Sequence, residues 1–127
     1  MKRIISTEEA PKAIATYSQA VEINGFLYIS GQIAIDPATG KLVDGGISSQ
    51  TEQVMKNIGA ILKAAGYSFR DVVKSTCLLS DMENFASMNK IYGSYYKENP
   101  PARAAFAVAR LPMDSLVEIE TIALKQD

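Results

Sequence analysis

The sequence contains no histidine and only one cysteine, Cys77. The absence of imidazole excludes histidine acid–base relays, serine-type catalytic triads and histidine metal sites. A single thiol excludes an intrachain disulfide framework and a zinc cage built from the thiolates of one chain. We therefore expect no metal site within this chain and a reducing environment such as the cytoplasm.

The charges are nearly balanced, since the sequence has 13 Lys and Arg residues and 14 Asp and Glu residues. This balance leaves no broad basic field, so no nucleic-acid partner is expected. No apolar run approaches the roughly 20 residues needed to span a bilayer. Only two apolar residues, Ile4 and Ile5, lie between the basic residues after Met1 and the first acidic residue, Glu8, which is too short an apolar stretch for a signal peptide. We therefore predict a cytoplasmic protein with no membrane partner.

The chain has 127 residues, of which 47% are hydrophobic and 21% charged. These fractions are those of ordinary globular proteins and exclude disordered and fibrous classes. Chains usually divide into domains only well beyond this length, and the composition does not change along the sequence. We therefore predict a single domain spanning residues 1–127.

The clearest local element is a β-hairpin. Asn24-Gly25 tolerates the two positive φ angles of a type I′ turn, and it separates the β-rich segments Ser18–Ile23 and Phe26–Ser30. Three further strands are predicted by their hydrophobic patterns, namely Val72–Leu79, Ala102–Ala109 and Leu116–Leu124.

Two helices separate these strands. The first is predicted to start near Ser49, where Ser49–Glu52 has capping-box spacing, and to stop at Gly66. Asp81 is expected to cap the second, and Asn99-Pro100-Pro101 to end it. Its inner face is predicted to carry Met82, Phe85, Met88, Tyr92 and either Tyr95 or Tyr96.

This order of elements predicts an α+β fold with a mixed β-sheet and both helices packed on one face. Alternation along the third strand would place Val73 with Cys77 and Leu79 on one side. Two helices cover only one side of such a sheet, and large exposed apolar patches are unusual in monomers. We therefore predict an oligomer.

Arg103 opens a strand of otherwise small and apolar residues, so its planar fork needs a partner or a ligand. One interpretation is a structural salt bridge with Glu118 or Glu120, and the other is a clamp for a ligand carboxylate. Glu118 and Glu120 should share a sheet face, about 7 Å apart. A single carboxylate beside Arg103 and a water makes better chemical sense than a glycosidase-like pair.

Other residues leave their alternatives open. Cys77 is predicted to be a buried, inert thiol. Gly31 either lets a ligand approach the backbone or marks a β-bulge. Tyr17 is either a core ring or a pocket wall, and the tyrosines of the second helix are interpreted as helix packing.

Longer motifs carry a family resemblance. The segment Pro101–Pro112, followed by Val117–Glu120, resembles the RidA (YjgF) reactive-intermediate deaminase family. Collinear support comes from five further places: Ala13–Ala20, Tyr28–Ile33, Gln53–Ile58, Phe85–Asn89 and Tyr92.

The resemblance implies a chorismate-mutase-like fold and a homotrimer with pockets between subunits. It also implies hydrolysis of 2-imino acids, such as 2-iminobutanoate and 2-iminopropanoate, to 2-keto acids and ammonia without a cofactor. Arg103 matches the carboxylate-binding arginine and Glu118 the acid that positions the attacking water. The other positions that match the family's substrate pocket are Tyr17, Gly31, Asn89 and Ala105.

This chain departs from the family pattern in two places. Ala15-Thr16 replaces the usual Gly-Pro before Tyr17, which bears on substrate preference. Ala105 stands where a cysteine is frequent, so only its main chain can contribute there. A ligand-binding regulatory or chaperone-like trimer, which binds keto acids or a protein without turnover, is the alternative function. A ribonuclease, also proposed for relatives, fits the charge balance least well.

Overall fold

The computed structural model describes residues 1–126, which form a six-stranded sheet and two helices packed on one of its faces. The strands of this sheet are β1 (Arg3–Ile5), β2 (Ala20–Ile23), β3 (Phe26–Gln32), β6 (Val72–Leu79), β7 (Ala102–Ala107) and β8 (Val117–Leu124). Their order is β1-β2-β3-β8-β6-β7, with β6 and β7 parallel and the other neighbours antiparallel. A separate small hairpin pairs β4 (Ile35–Asp36) with β5 (Lys41–Leu42). The predicted α+β fold with a mixed sheet is confirmed.

The hairpin prediction is also confirmed. β2 and β3 pair with Ile23 opposite Phe26, and the turn residues have φ angles of 51° at Asn24 and 83° at Gly25. Asn and Gly are the residues that adopt these left-handed angles at least cost.

The first helix, α1 (Gly46–Ala65), begins three residues before the predicted start. The capping-box prediction at Ser49 is wrong because Gly45 is the N-cap, and Glu52 instead accepts a hydrogen bond from the Tyr95 hydroxyl at 2.7 Å. The predicted end is correct, since Gly66 has φ 85° and donates its N–H to carbonyls of the last turn.

The second helix, α2 (Phe85–Tyr95), follows a single 3₁₀ turn that Asp81 caps by accepting the Glu83 N–H at 2.8 Å. The inner-face prediction is wrong for Met82, which lies in that turn and is largely exposed. Met88 and Tyr92 are buried in the helix, and Tyr96 is buried just beyond its end.

The strand boundaries and faces differ from the predictions in small ways. β7 ends two residues early, at Ala107, and β8 begins at Val117. The placement of Val73 beside Cys77 is wrong, because a register shift between Val72 and Lys74 turns Val72 inward and leaves Val73 exposed.

The hydrophobic core lies between the helices and the sheet, where the side chains of Leu27, Cys77 and Ile119 are fully buried. The opposite face carries large apolar side chains that remain exposed, including Phe26, Tyr28 and Phe106. Within residues 1–126, the helices are too short or too polar to cross a membrane.

Candidate functional site

Arg103 lies on β7 at the edge of the sheet, opposite Ser75 of β6. Its Nη1 donates a hydrogen bond of 2.6 Å to Oδ1 of Asn89, and its Cζ lies 5.3 Å from the Phe85 ring centroid and 5.0 Å from that of Tyr92. The salt bridge predicted with Glu118 or Glu120 is therefore not formed. The guanidinium is held by an amide and two rings, and its other N–H donors have no hydrogen-bond partner among residues 1–126.

Ala105 lies on the same face of β7 and pairs with Cys77, which is fully buried. Burial raises the pKa of the Cys77 thiol to about 11, although the charge of Arg103 acts in the opposite direction. A thiol with this pKa stays protonated at neutral pH, which agrees with the prediction of an inert cysteine.

Glu118 lies on the opposite face of the sheet. On β8, Glu118 pairs with Leu78 of β6 and Glu120 pairs with Thr76 of β6. The alternate residues of β6, Ser75 and Cys77, are buried on the face that the helices cover. Burial raises the pKa of the half-buried Glu118 carboxyl, and the nearby Glu120 raises it further. The two acids share one face of the sheet, as predicted.

Gly31 lies directly against this carboxyl group. A Cβ added to Gly31 would lie only 2.9 Å from Cδ of Glu118, and closer still to its Oε2. The β-bulge alternative is confirmed, because the register between β3 and β8 shifts between Ile29 and Gln32. The group that approaches the Gly31 backbone in this structure is the Glu118 side chain. The missing side chain gives Glu118 the space that it occupies.

These residues open onto a cavity of about 600 Å³. Tyr17 is 51% exposed and forms part of its wall, so it is not a core ring. Most of the other lining side chains are apolar, namely Pro11, Ile14, Ile33, Ile35, Pro112 and Met113. The cavity thus brings together Tyr17, Gly31 and Glu118, while Arg103, Asn89 and Ala105 lie on the other face of the sheet.

Three buried side-chain amides, which the sequence reasoning missed, hold the segments around this cavity. Gln19 donates to the carbonyls of Thr7, Ala10 and Pro11 and accepts the Thr7 N–H. Asn57 donates to the carbonyls of Ile33 and Ile35 at 3.3 and 3.0 Å, and the Gln50 side chain accepts the Leu116 N–H at 2.8 Å. Amide residues within apolar stretches of the sequence could have indicated these contacts, because a buried polar side chain needs hydrogen-bond partners.

Within the part of the chain that the structure describes, residues 1–126, no three Cys, Asp or Glu side chains cluster so that they could hold a metal ion.

We expect Gly31→Ala to disturb the position of Glu118 more than the stability of the fold. The added methyl group would overlap the Glu118 carboxyl, which must move from its present position. Because burial raises the pKa of this carboxyl, its displacement should lower that pKa, which an NMR titration of Glu118 measures. Gly93→Ala is the matched control, because a Cβ there meets no atom within 4 Å outside its own stretch of helix. Equal effects of the two variants on the pKa of Glu118 would contradict the prediction.

The fold and the cavity define a small α+β protein with a carboxylate beside a largely apolar pocket. A family model described as Endoribonuclease L-PSP matches residues 7–125. A RutC family protein of Pyrococcus horikoshii is 56% identical over 126 residues, which cover 99% of this chain and 100% of that protein. The human 2-iminobutanoate/2-iminopropanoate deaminase is 52% identical over 125 residues, which cover 98% of this chain and 91% of that protein.

A solved structure has the same fold over nearly the whole chain. The structure of E. coli TdcF with bound serine matches with a TM-score of 0.92 at 36% identity, covering 98% of this chain and 99% of that one. The chain belongs to the family that goes by the names RidA, YjgF and RutC. The resemblance inferred from the sequence motifs is confirmed.

Proposed function

We propose that this protein hydrolyses 2-imino acids, such as 2-iminobutanoate and 2-iminopropanoate, to 2-keto acids and ammonia. Relatives about half identical over nearly the whole chain that are named for this reaction support the proposal. The observation that carries it is the pair of unsatisfied functional groups. Among the residues that the structure describes, no carboxylate binds the guanidinium donors of Arg103, and Glu118 presents a carboxyl group to a cavity.

The proposed reaction adds one water and releases one ammonia. Arg103 holds the substrate carboxylate through two parallel N–H···O bonds, which fixes the imine carbon in position. The Glu118 carboxylate accepts a proton from a water as the water oxygen bonds to that carbon and the C=N electron pair moves to nitrogen. Glu118 then passes this proton to the nitrogen, which gives a carbinolamine with one hydroxyl and one amino group. It next takes the hydroxyl proton and returns it to the nitrogen as the C–N bond breaks, which leaves the keto acid and one ammonia.

Orientation of the substrate and of one water, with proton transfer at Glu118, is enough for such a reaction, because an imine is already electrophilic and hydrolyses in water. The catalyst needs to bind the carboxylate, exclude bulk water and place one water at the reacting carbon. The apolar cavity wall suits the hydrocarbon part of the substrate. We also propose that the protein works in the cytoplasm, without a cofactor.

We propose further that the working site lies between subunits of a homotrimer. Arg103 and Glu118 lie on opposite faces of the same sheet, so one chain cannot apply both to one small molecule. A second copy solves this problem if its Arg103 reaches the Glu118 cavity of the first. The exposed apolar side chains on the same sheet face as Glu118, including Tyr28 and Phe106, are suited to burial in such an interface.

Mixing two inactive variants tests both the reaction and the shared site. Keto-acid formation from 2-iminobutanoate generated in situ should be lost in Arg103→Ala and in Glu118→Ala alone. After the two variants are unfolded together and refolded as a mixture, about a quarter of the pockets should combine the two intact side chains and regain activity. A mixture that stays inactive, although wild type refolded in the same way is active, would contradict a site between subunits.

The same assay separates catalysis from binding. If wild type does not exceed the no-protein rate but binds 2-ketobutyrate, the pocket belongs to a ligand-binding regulator and the deaminase proposal fails. RNA cleavage without imine hydrolysis would favour the ribonuclease description of the family model.

We predict that Glu120→Gln shifts the acidic limb of the pH–kcat profile to lower pH. The charge of Glu120 contributes to the raised pKa of Glu118, so removing it lowers the pH at which Glu118 takes up its proton. Below its pKa, Glu118 is protonated and cannot accept a proton from water, which is why activity should fall on this side. A limb that stays in place in Glu120→Gln would show that another group titrates there.

A further inference from the structure

One face of α2 is built around the guanidinium of Arg103. Phe85, Asn89 and Tyr92 follow one another at spacings of four and three residues, so they lie on the same side of the helix. All three contact Arg103, by a hydrogen bond at Asn89 and by aromatic rings at the other two positions.

These contacts hold the guanidinium without using up the groups that a ligand needs. Asn89 takes one N–H of Nη1, and the ring faces attract the cation through their π electrons rather than through its N–H groups. A carboxylate partner, in contrast, would occupy the same N–H pairs that the substrate carboxylate requires. Arg103 is exposed on an edge strand, so it would otherwise sample many rotamers.

The Tyr92 ring is itself firmly placed. Tyr92 is only 4% exposed, and its ring packs 4.8 Å from that of Tyr96. Its hydroxyl is buried next to that of Ser75, the residue opposite Arg103 in the sheet. Burial and packing against Tyr96 thus hold the ring face that Arg103 contacts.

We propose that Phe85 and Tyr92 are positioning residues that preorganise Arg103 for carboxylate binding, and that they act through their ring faces alone. The inference rests on the site proposed above and adds the determinant of its carboxylate affinity. Removing either ring should weaken binding of 2-keto and 2-imino acids and raise KM, with kcat changed less than twofold.

Binding of 2-ketobutyrate, followed by NMR titration of the full-length protein, tests this inference without requiring turnover. We expect Phe85→Leu and Tyr92→Leu each to weaken binding about fivefold. Tyr92→Phe keeps the ring and should bind as wild type does. Phe69→Leu is the matched control, because Phe69 is also half-buried and packs on the α2 side against Tyr95 and Tyr96 without contacting Arg103.

The decisive measurement repeats the substitutions in an Arg103→Ala background. A residue that acts only through Arg103 has no further effect once Arg103 is gone, so Phe85→Leu should then leave the dissociation constant unchanged. An equal weakening in both backgrounds would overturn the proposal, as would wild-type affinity of the leucine variants in the presence of Arg103. If Tyr92→Leu does not fold, Phe85→Leu carries the same test at a less buried position.

The failure of this inference can be told apart from failure of the proposed function. If Arg103→Ala weakens binding but the ring substitutions do not, the carboxylate site stands and only the positioning role is rejected. If Arg103→Ala binds 2-ketobutyrate as wild type does, the carboxylate site itself is rejected, and the inference with it.

Discussion

Replacing Arg103 with alanine should lower kcat/KM for 2-iminobutanoate hydrolysis by about a hundredfold or more, because the proposed site would lose two charge-assisted hydrogen bonds to the substrate carboxylate. The protein should still fold, since Arg103 is exposed and its one side-chain hydrogen bond is to the exposed Asn89. Initial rates of keto-acid formation against a no-protein blank, together with the thermal unfolding temperature, measure both effects.

Two further variants define the reason for the loss. Arg103→Lys keeps the charge but not the planar fork, so we expect activity between that of wild type and Arg103→Ala. Arg70→Ala removes an exposed arginine that lies away from the proposed site and should be nearly silent. Activity of Arg103→Ala within threefold of wild type would reject the carboxylate clamp.

Glu118→Gln should reduce kcat by about a hundredfold to ten-thousandfold while binding of 2-ketobutyrate changes little. The amide fills nearly the same space beside Gly31 but cannot accept a proton from water. The raised pKa of Glu118 means that the fold disfavours its charged form, so stability from this group is lost as pH rises through that pKa. The neutral glutamine should therefore unfold at the same or a higher temperature near neutral pH.

Glu120→Gln provides the matched control, because it makes the same change of charge in the same cavity. At a pH above the acidic limb it should keep most of the wild-type kcat. If Glu118→Gln kept its kcat, or if both variants lost it equally, Glu118 would not be the group that activates water.

The sequence by itself was enough for the local elements and for the family. Asn24-Gly25 and Gly66 determine a hairpin and a helix end because their φ angles are a local property of these residues. The Arg103 and Glu118 motifs lie in contiguous segments, so the resemblance to the RidA family could be read without knowledge of the fold. The alternation of β8 also placed Glu118 and Glu120 correctly on one face.

Other features depended on how distant segments pack. The sequence allowed an ion pair between Arg103 and Glu118, but the faces on which they lie depend on strand register, which one-residue shifts such as that near Val72 can change. The fit of Gly31 against Glu118 requires that β3 and β8 be neighbours, although they lie far apart in the chain. Only the tertiary structure, in which register and strand order are settled together by burial of one sheet face, decided which residues meet.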